Sequence, residues 1–264
     1  MKRLILVLFV MILESCMTPA QRFHKQAQDL GLKAELLSSN RFQHKVYSAK
    51  NLKTGGVLHV YLDGDGTPWE RNRWIAEDPT ARNPLILALM QQDKAPAILL
   101  GRPCYYGLSN LNTCDNKYWT SHRYAKEVVE SMTQVLNSWL LKHQYNEVVL
   151  IGYSGGGALA ILMADKVNAV STVVTVAANL DVTKWSEFHG YSALAQSMNP
   201  ADEKMLNMTI KQIHFAGKDD EIVPSFIIKE YAEEQENVQY YEFPAKDHAC
   251  CWDDGWGELL GLIQ

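Results

Sequence analysis

From about residue 44 the chain alternates short apolar runs with amphipathic segments. HKVYSAK and VLHVYLDG (57–64) are rich in β-branched and aromatic residues and predict strands. NPLILALMQQD (83–93) predicts a helix with Pro84 at its first position. APAILLGRP (95–103) is a continuous apolar run and predicts a buried strand. Across 119–144, Val128, Met132, Val135, Leu136 and Trp139 recur at helical spacing, with Thr120 or Ser121 as the cap, so a long amphipathic helix is expected. EVVLIG predicts a strand and GGALAILMADK a helix. AVSTVVTVAANLD and KQIHFAG predict two more strands, and PSFIIKEYAEEQE a helix. VQYYEFP is the last strand and GWGELLGLI the last helix.

Continuous apolar strands separated by helices imply a mainly parallel sheet covered on both faces. The segment 182–208 is too long for a plain loop, and its aromatic residues are scattered. It is expected to form a small cap-like lobe above the C-terminal edge of the sheet. No Pro/Gly/Ser linker and no internal repeat divides the 264 residues, so a single domain over 44–264 is expected, with 16–43 as a tether or lead-in.

The N-terminus has a different character. Lys2 and Arg3 precede an uncharged run, Leu4–Leu13, too short to span a bilayer but suited to the core of a secretory signal. Leu13-Glu14-Ser15-Cys16 follows and resembles the lipobox of bacterial lipoproteins. The resemblance implies removal of 1–15 and lipid modification of Cys16, placing the protein in the periplasm or at the outer membrane of a bacterium. Glu14 departs from the small or β-branched residue usual there, and cleavage near Thr18-Pro19-Ala20 to release a soluble protein is the alternative. Export into an oxidising compartment favours a bridge between Cys104 and Cys114, which bracket an irregular loop. Cys250 and Cys251 are adjacent. They could pair with each other, remain thiols or reach the first pair. A net charge of −5 leaves no footprint for nucleic acid.

The chemistry centres on EVVLIGYSGGGALAILMADK, residues 147–166. Read as G-x-S-x-G (Gly152, Ser154, Gly156), it is a strand-to-helix elbow presenting a serine nucleophile. Read as G-x-G-x-x-A (Gly155, Gly157, Ala160), it is a dinucleotide loop with Asp181 as a ribose ligand. That fingerprint belongs to the first βαβ unit of its domain, yet at least three strands precede this one. An elbow serine also needs a base and an acid to orient it. Asp219 and Asp220 follow the strand KQIHFAG, and His248 follows VQYYEFP. The other histidines fall in apolar strands (His59, His214), near helix ends (His122, His143), ahead of the core motifs (His24, His44) or in the lobe (His189).

With GYSGG, G-x-x-D-x-x-V-P and a late histidine in this order, the chain resembles the α/β-hydrolase superfamily from about residue 44 to the C-terminus. The resemblance implies an α/β-hydrolase fold and a triad of Ser154, Asp220 and His248, with Asp219 and Asp181 as alternative acids. It also implies an oxyanion hole of two backbone N–H groups. One is from Gly155, and the other from Asp65 in the loop DGDG after an early strand. D-x-D-G also occurs in calcium loops, but the twelfth position from Asp63 is Trp74 and not Glu, so no metal is expected. The expected activity is cofactor-free hydrolysis of small acyl esters. A peptidase or amidase with the same triad, and a non-catalytic lipoprotein that keeps the fold, are the alternatives.

Overall fold

The apolar runs assemble as strands of one twisted sheet, seen in a computed structural model that describes residues 17–50, 52 and 55–263. In chain order the strands are β1 (Leu32–Ser38), β2 (Gln43–Ala49), β3 (Val57–Leu62), a separate hairpin of β4 (Trp69–Glu70) and β5 (Trp74–Ile75), β6 (Ala97–Leu100), β7 (Glu147–Tyr153), β8 (Val170–Val176), β9 (Lys211–Gly217) and β10 (Val238–Phe243). Their spatial order is β1-β2-β6-β3-β7-β8-β9-β10. From β6 onward all neighbours are parallel, while β2 runs antiparallel to both β1 and β6. This is the α/β-hydrolase fold expected from the pattern of apolar strands and intervening helices.

The helices are α1 (Pro19–Asp29), α2 (Leu85–Gln92), α3 (Lys126–His143), α4 (Gly155–Ala164), α5 (Val182–His189), α6 (Ser225–Glu233) and the short α7 (Trp256–Leu259). All ten residues of α4 are buried, as its uniformly apolar sequence requires. The strands β7 and β8 beside it are buried along nearly their whole length.

The helix α2 begins at Leu85, with Pro84 as its N-cap residue rather than its first position, and two further boundaries differ from the sequence reading. The described part of the expected lead-in, from residue 17, is folded structure: α1 and β1 join the domain before residue 44. Thr18 and Gln21 form a reciprocal capping box that starts α1, and Phe23 packs its ring against Tyr47 and Tyr106. The β1 strand was hard to read because it is an edge strand of mixed exposure, with no strict alternation. The long helix begins at Lys126, capped by Ala125 rather than by Thr120 or Ser121. Residues 120–125 turn instead, because Arg123 and Tyr124 are drawn into a buried cluster described below. The expected signal segment and Cys16 lie outside the described residues. Among the described residues, no helix is long and apolar enough to cross a membrane.

The lobe consists of α5 followed by irregular chain with one 3₁₀ turn, Pro200–Asp202. Asp181 caps α5 by accepting from the Lys184 amide at 3.0 Å, and also accepts from the Asn199 side chain at 3.1 Å. It is a structural residue.

Candidate active site

The parallel register sets the site. Leu62 lies beside Gly152, Tyr153 beside Val176, Val176 beside Phe215, and Gly217 beside Phe243. The loops leaving β3, β7, β8, β9 and β10 therefore emerge along one edge of the sheet. A cleft of about 1040 Å³ opens there, lined by Ser154, His248, Asp65, Asn179, Tyr153 and residues of the lobe.

Ser154 stands between β7 and α4 with φ 52° and ψ −123°, a left-handed backbone that costs a non-glycine residue of order 1–3 kcal/mol. Its neighbours hold it there. The Ser154 amide donates to the Val176 carbonyl at 2.9 Å, and the Ser154 carbonyl accepts from Gly157 at 2.9 Å. The turn is possible only because two flanking residues lack a Cβ. At Gly152 a Cβ would come within 2.3 Å of the Gly156 carbonyl oxygen, and at Gly156 within 2.1 Å of the Leu62 carbonyl oxygen. A phosphate cradle does not explain those contacts; close packing of an elbow does.

The structure brings Ser154, His248 and Asp220 into one hydrogen-bonded row. Nε2 of His248 is 3.0 Å from the Ser154 Oγ, and Nδ1 is 2.9 Å from the Asp220 Oδ2. Asp220 is buried, and its Oδ1 accepts from the amides of Ile222 at 2.9 Å and Val223 at 2.7 Å. One carboxylate oxygen is thus tied to the loop and the other aims at the imidazole. Asp219 has no place in the row. It meets the loop of His248 through its own amide, which donates to the Lys246 carbonyl at 3.1 Å.

The histidine loop is braced from both sides. Asp247 accepts from the amides of Ala249 and Cys250 at 2.8 and 2.6 Å, and these bonds hold its carboxyl below the usual range. The Trp252 indole donates to the Asp247 carbonyl at 2.8 Å, and Lys246 donates to the Cys251 carbonyl. Below the imidazole, the Tyr153 hydroxyl donates to the His248 carbonyl at 3.0 Å, with the two rings 5.4 Å apart. Nothing in the sequence singles out Tyr153; its role comes from the register that sets β7 under the histidine loop. Cys250 and Cys251 form a vicinal bridge in this loop.

On the other side of Ser154 the loop after β3 carries two aspartates in contrasting surroundings. Asp65 Oδ1 accepts from Arg102 at 2.5 Å, and Oδ2 accepts from Arg123 at 2.9 Å and from the Tyr124 hydroxyl at 2.6 Å. Burial alone would raise this carboxyl. Arg123 and Arg102 outweigh burial and hold it well below the usual carboxylate range. Arg102 also donates to the Gly64 and Arg123 carbonyls, and Tyr105 donates to the Asp65 carbonyl at 3.1 Å. The side chain of Asp65 is therefore fully engaged, while no hydrogen bond from its amide to another described residue occurs. It also presses on the helix start, since a Cβ on Gly155 would fall 2.1 Å from Asp65 Oδ1. Asp63, two residues earlier, has no arginine bonded to it among the described residues. Burial pushes its carboxyl up to about 6, against the Gly64 amide that donates to it at 2.9 Å.

The cluster is anchored by the bridge between Cys104 and Cys114, whose Cα atoms are 5.5 Å apart. Arg102, Tyr105, Arg123 and Tyr124 escape notice in the sequence, because they lie outside the helices and strands and meet only in three dimensions. Asn179, three residues after β8, is buried at the cleft, and its Oδ1 has no partner among the described residues.

The remaining histidines have other roles. His59 bonds Asp93 at 2.6 Å; His214 meets Thr175 at 2.8 Å; His44 bridges the Gly101 carbonyl and Ser131. Burial depresses His44 to about 4 and His214 to about 3, so both are neutral core groups. A second cavity of about 910 Å³ contains His59 and Ser171, but the Ser171 hydroxyl there donates to Glu147. No group of metal-ligating side chains occurs among the described residues.

A family model described as serine hydrolase (FSH1) matches residues 36–249. No curated protein matches the chain. Among solved structures, an esterase of Pyrococcus furiosus is similar at 13% identity and TM-score 0.60, covering 94% of this chain and 93% of that one. An esterase/lipase from an uncultured bacterium is similar at 13% and 0.57, covering 94% and 91%. A serine hydrolase without a lid from Xanthomonas campestris is similar at 11% and 0.54, covering 88% and 92%.

Proposed function

Because the chain belongs to the serine hydrolase (FSH1) family, matched over residues 36–249, we propose that it cleaves carboxylic esters through an acyl-enzyme on Ser154. The observation that carries this reading is the row Ser154–His248–Asp220, with contacts of 3.0 and 2.9 Å. With Nδ1–H donating to Asp220, the imidazole Nε2 is left to accept the Ser154 proton as Oγ attacks the ester carbonyl. Negative charge develops on the carbonyl oxygen, and the amides of Asp65 and Gly155 donate to it. His248 then protonates the departing alkoxide. Water, deprotonated by the same nitrogen, attacks the acyl-enzyme and releases the acid. Every step uses side chains and amides of this chain, and no cofactor enters.

That similar structures include an esterase and an esterase/lipase supports an ester over an amide as the bond cleaved. Ser154→Ala is expected to remove labelling by a fluorophosphonate probe and to lower hydrolysis of p-nitrophenyl acyl esters by roughly a millionfold. A variant that still labels would overturn the assignment of the nucleophile. A panel of p-nitrophenyl esters of rising acyl length, with matched anilides, reads the substrate class. Faster turnover of the anilides would replace the esterase reading with an amidase. Localisation at a membrane through Cys16 belongs to the same proposal. Metabolic lipid labelling of the parent and of Cys16→Ala tests it.

A further inference from the structure

The β4–β5 hairpin stands at the mouth of the cleft with every residue from Trp69 to Ile75 exposed. Trp74 is 61% exposed, an unusual cost for a large aromatic side chain with no described protein surface over it. The turn itself is Arg71-Asn72-Arg73. Arg71 and Asn72 adopt φ of 50° and 53°, a conformation glycine would take more readily. The side chains at the tip therefore need a reason other than the backbone. Arg73 lies over the Trp74 ring at 5.1 Å, and Glu70, the acid on the hairpin, is neutralised by Arg82 at 2.8 Å. The hairpin thus presents aromatic and aliphatic surface with net positive charge, although the whole chain carries −5.

Across the cleft a second apolar rim is exposed. Ile222 and Tyr191 line the cleft. His189 stacks on Tyr191 at 5.0 Å, Phe188 meets His189 at 5.0 Å, and Phe226 meets Phe188 at 5.6 Å. Phe188 is 56% exposed. Glu187 and Glu221 flank this rim, so electrostatic attraction to an anionic surface falls to the hairpin alone.

We infer that the two rims dock the cleft mouth on an anionic lipid bilayer, with Trp74 and Ile75 entering the interface and Arg71 and Arg73 meeting the headgroups. Aromatic residues favour the level of the headgroups, and each arginine near such a surface strengthens binding severalfold. The apolar rims leave the cleft facing the membrane, which makes the substrate an ester presented by that surface. This last step rests on the hydrolase reading above; the docking does not.

The test uses the chain from Met17 onward, where the described fold begins, so that neither an acyl group nor the apolar run Leu4–Leu13 contributes. Co-sedimentation is measured with phosphatidylcholine vesicles, alone and mixed with phosphatidylglycerol. The parent is expected to bind the mixed vesicles more tightly. The pair Arg71→Glu/Arg73→Glu is expected to weaken that binding roughly tenfold or more, and Trp74→Ser/Ile75→Ser to weaken it on both vesicle types. Both pairs are expected to keep the parent rate on a water-soluble p-nitrophenyl ester, which also reports that they fold. Their rate on an ester embedded in the vesicles is expected to fall. A parent that stays in the supernatant, or variants that sediment like the parent, would overturn the inference. So would protection of the hairpin from proteolysis by a soluble acylated polysaccharide and not by vesicles. A parent that binds the mixed vesicles but hydrolyses no ester would count against the hydrolase reading, leaving the docking in place.

Discussion

The two sides of Ser154 are held by different kinds of bonding. Toward β9 and β10, a single carboxylate faces a single imidazole, and neutral backbone amides orient both loops. Toward β3, the Asp65 carboxylate is saturated by two arginines and a tyrosine. The proposed mechanism explains the contrast. A base must exchange a proton during turnover, and surrounding it with fixed charges would pin one protonation state. An oxyanion donor must stay still, and a buried ionic cluster holds its loop rigidly at the cost of desolvating several charges.

The sharpest separation of the two sides comes from matched Asp-to-Asn changes. Asp220→Asn keeps an oxygen for the Ile222 and Val223 amides but cannot accept from Nδ1–H of His248. A fall of roughly ten-thousandfold in kcat is expected with little loss of stability, measured by steady-state kinetics beside chemical denaturation. Asp65→Asn leaves Arg102 and Arg123 buried without their shared counter-ion. Stability is expected to drop by about 3–5 kcal/mol, and kcat by about a hundredfold as the loop shifts. If Asp65→Asn were to cost more rate than Asp220→Asn, the assignment of roles would be reversed.

A smaller effect is expected from Cys104→Ala/Cys114→Ala. The bridge closes a short loop next to Arg102, so its removal is worth about 2–3 kcal/mol. Urea denaturation reads the loss, and the drop in kcat is expected to be milder than for Asp65→Asn. The smallest change sharpens the contrast between neighbouring aspartates. Asp63 titrates near 6 in the fold and near 4 when unfolded, so the folded chain holds the proton more tightly. Its stabilising contribution is complete below about pH 4 and is lost as pH rises through about 6. Asp63→Asn is expected to remove this decline from thermal melting curves taken between pH 4 and 7. An unchanged slope would place the titration elsewhere.

Much of the fold was legible because burial on both faces leaves a strand nearly all apolar. LHVYL, AILL, VVLIG and TVVTV could hardly be anything else in a chain of this composition. Edge elements were less legible for the same reason. LKAELLS mixes exposed and half-buried positions, so β1 lacks a clear period, and the capping box of Thr18 and Gln21 falls in a segment whose pattern predicts only a tether or lead-in. The start of α3 was obscured because Arg123 and Tyr124 leave the helical path to reach Asp65, and no local propensity foretells a partner 58 residues away.

The sequence by itself determined which chemistry was available: a serine in a glycine elbow, an aspartate and a histidine after later strands, each in the order the reaction requires. Those signals are local, since a tight turn demands glycine and a loop after a strand is marked by where the apolar run stops. Only the tertiary structure decided that Nε2 stands 3.0 Å from Oγ, and that Asp220 rather than Asp219 meets the imidazole. It also decided that Asp65 is an ionic anchor, and that an exposed tryptophan hairpin guards the cleft. Those properties depend on parallel register, which sets residues far apart in sequence side by side, and on what is buried with each carboxyl: Arg123 and Arg102 overcome burial and make Asp65 acidic, while burial leaves its near neighbour Asp63 reluctant to ionise.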